Sequence, residues 1–349
     1  MLHTRRSYNG MVVAPHHLAA EAGARVLREG GNAVEAMIAA ASTIAVVYPH
    51  MNSLGGDNFW LIHQPGQTPV GIDACGGAAA MATPQYYGEH GLEAIPGRGP
   101  HAALTVAGAV SGWQQAYAHS QALGGRLPLS RLFEDAIHHA AAGVPVTASL
   151  GNNAASKLPE LRGQPGFDSA YLVDGKPVAV GQLHQQPRIA ATLQDLADKG
   201  LDDFYRGALG ESIAADLEAA GSPLRHSDLQ QYQALQVTPL SMQIQGNTLF
   251  NMPPPTQGLA SLMLLGIFSR LNITSSDDFD YVHGLVESTK QAFRVRDSEV
   301  SDPAFMRQPA GHFLTDAVLD ELAAGVDLSV AAPWPDASQG GDTVWLGAV

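Results

Sequence analysis

The sequence predicts a mixed α/β (α+β) fold in which helices dominate. Two consecutive segments, 17–29 and 33–47, have the apolar spacing and the boundary residues of helices. Phe59–Ile62 is a short apolar run of the kind that forms a buried strand, and Leu240–Ile244 alternates as a strand does. With 349 residues, the chain is long enough for one large domain or two ordinary ones with a sizeable core.

The first two predicted helices have clear boundaries. The helix over 17–29 ends at Gly30-Gly31, a pair suited to a helix C-cap. Asn32 then begins the second helix, and Glu35 follows at the spacing of a capping box. This second helix is apolar on almost every face until Pro49 ends it, so we expect it to be buried in a layered core.

The rest of the chain continues the mixture of helices and strands. The further predicted elements are a strand ending near Cys75, a single helix along 129–140, helices along 189–197, 209–217, 259–268 and 282–293, a hairpin of 240–244 with 247–252, and a strand along 344–349. Glycine-rich loops at 50–57 and 91–100 interrupt them. We expect segment 331–341, rich in Pro, Ala, Ser and Gly, to be exposed and flexible.

Composition excludes several classes of function. The chain has 33 acidic against 19 basic residues, a formal net charge of -14, and no block of basic residues. Nucleic acid and anionic membrane surfaces are therefore not expected partners. Cys75 is the only cysteine, so no internal disulfide can form, and no motif with metal-ligand spacing occurs. We predict no metal and no cofactor. The N-terminus shows no apolar leader and no segment is long enough to span a bilayer, so we expect a cytoplasmic protein.

The last ten residues contain the clearest candidate for chemistry. Gly340-Gly341-Asp342 leads to Thr343, which precedes the β-branched and aromatic run Val344–Val349. A threonine hydroxyl needs an adjacent base to act as a nucleophile, and its own α-amine can serve once the preceding peptide bond is cleaved. Read alone, these ten residues fit an ordinary threonine at the start of a strand better than a nucleophile.

A series of short motifs lies in order along residues 10–349. The motifs are Gly10-Met11-Val12-Val13-Ala14, Gly30–Ala36, Leu54–Phe59, Ala107–Gly112, Asp135-Ala136-Ile137, Ala141–Val146, Phe204–Gly207, Met252–Thr256, His283–Glu287 and Asp302–Phe305. In this order they resemble the γ-glutamyltransferase family of N-terminal nucleophile hydrolases. Because the match extends over nearly the whole chain, it is more specific than any single motif. With this match, a nucleophile becomes the preferred interpretation of Thr343, ahead of an ordinary threonine at the start of a strand.

The resemblance implies a four-layer αββα sandwich, made by self-cleavage of a precursor. The implied break lies between Asp342 and Thr343, so residues 1–342 would form a large subunit and 343–349 the start of a small one. The expected partner is this small subunit, in a heterodimer or a dimer of heterodimers. The oxyanion donors of the family belong to the small subunit beyond Val349, so we expect the 349-residue chain alone to be inactive.

Departures from the family's motifs bear on the substrate. True γ-glutamyltransferases bind the glutamyl α-carboxylate with an arginine that follows a Leu-Asp-Xaa stretch, and here Cys75 stands at that position, after Ile72-Asp73-Ala74. A thiol offers neither charge nor a bidentate fork to a carboxylate. Val344-Trp345 also replaces the threonine–histidine pair that usually follows the nucleophile. The sequence is therefore most similar to the amidohydrolase branch of the family.

We expect hydrolysis of a small amide, with oxamate as the first choice of substrate. Two side chains are candidates for substrate binding: Cys75 as a pocket residue and Arg98 as the cation for a small anion, although a solvated loop arginine is the commoner role of such a residue. His50 and Asn52 could also approach the site, but structural polar roles suit them better. Two alternatives stay open: another acylase or γ-glutamyl hydrolase of the same family, and a non-catalytic, unprocessed binding protein.

Overall fold

The structure is a computed structural model, and it describes residues 4–334 and 343–349. These residues divide into two compact units. Unit 1 contains 4–58, 74–235 and 343–349, and unit 2 contains 59–73 and 236–334.

Helices dominate both units, as the apolar patterns predict. The helices are α1 (His17–Arg28), α2 (Ala33–Val47), α3 (Pro84–Glu89), α4 (Ala109–Ala122), α5 (Leu129–Leu132), α6 (Glu134–Ala142), α7 (Ala148–Leu161), α8 (Phe167–Tyr171), α9 (Pro187–Lys199), α10 (Asp203–Arg206), α11 (Ala208–Ala220), α12 (His226–Gln231), α13 (Gly258–Arg270), α14 (Phe279–Glu299) and α15 (Asp316–Ala324). Short 3-10 turns lie at Pro100–Ala102 and Ala310–Leu314.

The strands are short. They are β1 (Val12–Val13), β2 (Asn58–Ile62), β3 (Val70–Ala74), β4 (Val144–Pro145), β5 (Leu172–Val173), β6 (Lys176–Pro177), β7 (Leu183–His184), β8 (Leu235–Val237), β9 (Leu240–Ile244), β10 (Asn247–Asn251) and β11 (Gly347–Ala348). They form one three-stranded sheet in the order β2-β3-β8 and the pairs β1-β11, β4-β7, β5-β6 and β9-β10.

Helix α2 forms the centre of unit 1, and its predicted capping box is confirmed. The Asn32 side chain accepts a hydrogen bond from the Glu35 N–H at 2.9 Å, and a Glu35 oxygen accepts from the Asn32 N–H at 2.8 Å. The second Glu35 oxygen accepts from the Leu127 N–H at 2.8 Å. Glu35 is only 1% exposed, so these main-chain donors satisfy a carboxylate that would otherwise be costly to bury.

The single helix predicted along 129–140 is wrong in one respect, because it is divided into α5 and α6 at Phe133. Phe133 has φ −95° and ψ −4°, away from ideal helical values. Its ring is fully buried and packs edge-on against Trp113, with the centroids 5.7 Å apart. The apolar stripe runs through the break unaltered, which explains why spacing alone predicts one helix.

Unit 2 has its own apolar core. Helices α13 and α14 pack on each other, and α13 also contacts the antiparallel hairpin of β9 and β10. The hairpin and both helices agree with the sequence prediction. The buried core residues of this unit are Met242, Leu259, Leu262, Met263, Ile267, Ala292, Phe313 and Leu319.

The C-terminal strand is shorter than the predicted run 344–349. Strand β11 covers only Gly347–Ala348 and pairs antiparallel with β1. Its partner is equally short because Pro15 and the start of α1 follow β1 almost at once. Trp345, predicted to lie in a buried strand, is 73% exposed. Propensity therefore identified the strand but not its length, which the partner sets.

Candidate active site

Thr343 lies in an irregular segment before β11 and its residue surface is exposed. Two main-chain hydrogen bonds hold the end of the chain: the Met11 N–H donates to the Val349 carbonyl at 2.7 Å, and the Val349 N–H donates to the Met11 carbonyl at 3.0 Å. The threonine is thus accessible to solvent, close to a segment fixed by strand pairing. Residues 335–342 lie outside the described residues, and they include the predicted junction residue Asp342 and most of the segment 331–341 that is expected to be flexible.

Gly10 makes this pairing possible. Its φ is +102°, a conformation that side chains strongly disfavour, and a Cβ built on it would lie 2.5 Å from the Val349 carbonyl oxygen. Gly23 of α1 allows a similar close approach, since a Cβ there would lie 2.9 Å from a Val12 methyl group. Gly10 and Gly23 therefore allow β1 to pack closely against its neighbours. Because β1 pairs with β11, they also help to position the strand that follows Thr343.

The backbone around Cys75 is fixed by the segment 104–108. The Val106 N–H donates to the Gly77 carbonyl at 3.0 Å, and Ala78 forms a bridge with Thr105. Gly76 has no room for a side chain, because a Cβ there would overlap the main chain of Val106. The Tyr232 hydroxyl donates to the Cys75 carbonyl at 3.2 Å. Cys75 is half-buried, and these contacts set the direction of its backbone.

The glycine loop 50–57 docks on the start of α4. The Gly56 carbonyl accepts from the N–H groups of Gly108 and Ala109, at 2.8 and 2.9 Å. The Asn58 amide donates to the Ala109 carbonyl at 3.0 Å, and Gly112 leaves the space that the Asn58 side chain fills. Hydrogen bonds to the start of α4 therefore hold this loop in a defined conformation.

His50 in this loop has a structural partner. Its Nε2 lies 2.8 Å from the Ser149 hydroxyl, and its ring packs against Tyr48 with the centroids 4.3 Å apart. The Tyr48 hydroxyl also donates to Ser149, at 3.2 Å. These contacts agree with the structural role expected for His50, and Asn52 is half-buried in the same loop.

Tyr205 holds the backbone at the start of α4, a role that the sequence does not predict. Its hydroxyl donates to the Ala107 carbonyl at 2.8 Å and accepts from the Ser111 N–H at 2.9 Å. Burial raises the pKa of Tyr205 far above its usual value, so the hydroxyl stays protonated and keeps both bonds. Tyr205 belongs to the Phe204–Gly207 motif, but only the fold shows that this motif reaches the glycine-rich turn before α4.

Arg98 lies in an exposed loop and already has a carboxylate partner. Its side chain is 53% exposed and its Nε lies 3.5 Å from Glu160, which also accepts from Lys157 at 3.1 Å. The hydrogen bonds from Lys157 and Arg98 and their charges lower the pKa of Glu160. No described hydrogen bond or ion pair joins Arg98 to Thr343. The role of Arg98 in substrate binding stays a prediction, and it requires Arg98 to leave Glu160.

Two surface cavities, of about 470 and 330 Å³, lie elsewhere: one is lined by Arg25, Asp135 and His138, the other by Leu264, Thr289 and Phe293. Neither is lined by Thr343, Cys75 or Arg98.

Within residues 4–334 and 343–349, no three His, Cys, Asp or Glu side chains are grouped so as to hold a metal ion. In those same ranges, no helix has the length and apolar character needed to cross a membrane.

Comparisons with known proteins agree with the motif pattern. The family model described as gamma-glutamyltranspeptidase matches residues 19–349. The oxamate amidohydrolase proenzyme of Klebsiella pneumoniae is 51% identical over 344 residues, which cover 98% of this chain and 65% of that protein. A glutathione hydrolase-like proenzyme of Bacillus subtilis is 33% identical, with 97% of this chain and 64% of that protein covered. The chain thus spans just under two thirds of the length of these relatives.

Solved structures confirm the predicted fold class. The cephalosporin acylase from Bacillus halodurans matches with a TM-score of 0.88 and 29% identity, over 99% of this chain and 65% of that one. A gamma-glutamyltranspeptidase from Pseudomonas nitroreducens matches with a TM-score of 0.83 and 30% identity, over 94% of this chain and 97% of that one. The fold is α+β, of the N-terminal nucleophile hydrolase type. Taken with the family match over residues 19–349, these likenesses establish that the chain belongs to the gamma-glutamyltranspeptidase family.

Proposed function

We propose that the full-length protein is a self-processed amidohydrolase that uses Thr343 as its nucleophile and oxamate as its substrate. The observation that carries the proposal is the 51% identity, over 98% of this chain, to a protein named oxamate amidohydrolase proenzyme. The family match extends to residue 349 and so includes Thr343. The exposure of Thr343, next to a paired strand, supports an accessible nucleophile.

Processing begins with the Thr343 hydroxyl in this proposal. Its Oγ attacks the carbonyl carbon of Asp342, the peptide C–N bond breaks, and the Thr343 nitrogen takes up the hydroxyl proton to become a free amine. Water then hydrolyses the resulting ester, which releases the Asp342 carboxylate and restores the hydroxyl. Residues 1–342 become the large subunit, and its partner is the small subunit that begins with Thr343.

Turnover of oxamate repeats this chemistry on a smaller amide. The freed α-amine accepts the hydroxyl proton while Oγ attacks the amide carbon of oxamate. The C–N bond breaks, the nitrogen takes that proton, and ammonia leaves. Water hydrolyses the oxalyl ester on Thr343, and oxalate is released.

The substitution of a thiol for the expected arginine at Cys75 supports a substrate without a glutamyl α-carboxylate. An arginine fork is the preferred partner of a carboxylate at such a site, and leaving the carboxylate poorly compensated costs binding energy. Oxamate carries one carboxylate, for which Arg98 is our candidate cation, once it is released from Glu160. The second candidate function is glutathione hydrolysis, favoured by the 33% identity to a glutathione hydrolase-like proenzyme.

The test compares oxamate, glutathione and glutaryl amides as substrates of the purified full-length protein. We expect ammonia release from oxamate to have the highest kcat/KM. We also expect Thr343→Ala to lower that activity by at least roughly a thousandfold, as removal of a nucleophile does. Thr343→Ser is the matched control, since it keeps a hydroxyl and should keep measurable activity.

Each other result rejects part of the proposal. Preference for glutathione favours the second candidate, and preference for glutaryl amides favours another acylase. Full activity of the Thr343→Ala variant contradicts the assignment of Thr343 as the nucleophile. A protein that is neither cleaved nor active on any of these amides fits the non-catalytic, unprocessed alternative.

A further inference from the structure

The motif His283–Glu287 lies on α14 in unit 2 and is not part of the site described above. His283, Glu287, Lys290 and Gln291 are spaced by four, seven and eight positions, so they lie on one face of the helix. His283, Glu287 and Gln291 are at most 8% exposed. Buried polar side chains need partners, so this face must bind something polar.

The partners are main-chain atoms of the segment that follows α15. The Gln291 amide donates to the Gly325 carbonyl at 3.1 Å, and His283 Nε2 lies 3.1 Å from the Asp327 carbonyl, to which it donates. Such bonds depend on the path of the segment and not on its side chains. We call His283, Glu287, Lys290 and Gln291 the backbone-binding track.

At Ala332 the track holds both polar groups of one residue. Lys290 Nζ donates to the Ala332 carbonyl at 2.6 Å, and the Ala332 N–H donates to Glu287 at 3.3 Å. Lys290 and Glu287 also bond to each other at 2.6 Å. Two opposed bonds, from a half-buried lysine and the buried glutamate paired with it, fix both the position and the orientation of the Ala332 peptide groups.

Aromatic contacts extend the attachment beyond Ala332. The Trp334 ring packs edge-on against Phe293, with the centroids 6.3 Å apart. The Arg296 guanidinium lies 3.8 Å from the centroid of the Phe293 ring, so Phe293 is itself held in place. The segment is thus attached to α14 from Gly325 to Trp334.

We propose that the backbone-binding track, by fixing the chain at Ala332, favours self-cleavage before Thr343. Ala332 and Thr343 are eleven positions apart in the sequence, so a fixed Ala332 restricts the conformations open to the chain that reaches the scissile bond. Restricting them lowers the entropic cost of the geometry that the attack requires. The track residues are positioning residues, not catalytic ones. This inference rests on the proposed function, because it assumes cleavage before Thr343.

The test uses the full-length protein with Glu287→Gln and Lys290→Met combined, which removes both charges at once and leaves neither buried alone. We expect the rate of cleavage before Thr343 to fall roughly twofold, the change in loop-closure entropy when the nearest held position moves from Ala332 back to Asp327. The chains that do become cleaved should keep the kcat of the wild type. Lys290→Arg should keep most of the processing rate, because it keeps a cationic donor. Glu321→Gln, on the exposed surface of α15, is the matched control and should process at the wild-type rate.

Hydrogen exchange in the Thr343→Ala background reports on the track without cleavage. The double variant should exchange faster at Ala332 and its neighbours, while the core of unit 2 exchanges as before. An unchanged processing rate or unchanged exchange at Ala332 overturns the inference and leaves the proposed function intact. Failure of the wild type to cleave overturns the proposed function and this inference together, so the two failures are distinguishable. If kcat of the cleaved double variant falls as much as its processing rate does, the inference is also overturned, because the track would then act on turnover.

Discussion

Upstream of Thr343, side chains of α14 hold the chain at Gly325–Ala332, whereas downstream main-chain pairing with β1 holds it at Gly347–Val349. The upstream attachment depends on a buried glutamate paired with a half-buried lysine, and the downstream one on a glycine that lets two backbones approach. The two attachments should therefore differ in how they can be broken. A change of charge breaks the first, and only added bulk near the backbone breaks the second.

The largest expected effect on stability is that of removing one charge from the upstream attachment. Lys290→Met leaves Glu287, whose side chain is 2% exposed, without its cation. We expect a loss of about 3–5 kcal/mol in the free energy of unfolding, the usual cost of stranding a buried charge. Denaturant unfolding measures it.

The double variant with Glu287→Gln added is the comparison for this effect. It should recover a large part of the loss, because the stranded carboxylate is gone. A double variant less stable than Lys290→Met by the full effect of Glu287→Gln contradicts the coupling between the two residues.

Added bulk at Gly10 should break the downstream attachment. Gly10→Ala introduces a Cβ 2.5 Å from the Val349 carbonyl oxygen at a φ of +102°, and we expect a loss of about 2–3 kcal/mol. Processing should slow as well if β11 positions Thr343. Thermal unfolding and the cleavage rate are the measurements.

Gly30→Ala is the matched control for Gly10→Ala. Gly30 also has a positive φ, of +86°, but no atom lies within 4 Å of its built Cβ. Its substitution should cost only about 1 kcal/mol of backbone strain and leave processing unchanged. Equal effects of the two substitutions would show that contact with the C-terminal strand is irrelevant.

The smallest expected effect is a difference in pH response between the two units. Burial lowers the pKa of His16, His139 and His184, all in unit 1, and neighbouring histidines lower the pKa of the first two further. The unfolded chain takes up protons at these residues at about pH 6.5, before the folded chain does. Stability should therefore be constant above that pH and fall as the pH drops from 6.5 towards the lowered pKa values.

Hydrogen exchange at pH 7.5 and 5.5, corrected for the intrinsic rate, locates this loss. We expect unit 1 to lose more protection than unit 2, and His184→Phe to reduce the loss. His63→Asn, at an exposed position in unit 2, should not change it. Equal loss in both units, or none in unit 1, contradicts the assignment to these histidines.

Local signals explain what the sequence predicts correctly. The capping box of Asn32 and Glu35 involves residues three positions apart, so their identities are sufficient to locate the start of α2. The extent of β11 could not be predicted in this way, because it depends on β1, more than three hundred positions earlier. The same holds for Arg98, whose partner Glu160 is 62 positions away and has no local signature.

The candidate site shows the same division. Thr343 and Cys75 are predicted site residues that come from matching motifs, which depends only on the residue type at a given place in the sequence. The support from Tyr205 could not, because its hydroxyl acts on the main chain of Ala107 and Ser111. The track on α14 likewise contains a recognised motif, but only the fold shows that His283 and Glu287 bind the segment leading to Thr343.

The most direct test of self-cleavage before Thr343 is the intact mass of the purified full-length protein, both wild type and Thr343→Ala. We expect the wild type to separate under denaturing conditions into two polypeptides, with the break between Asp342 and Thr343, and the Thr343→Ala variant to remain a single chain. A wild type that stays uncleaved, or a Thr343→Ala variant that cleaves at the same bond, would contradict it.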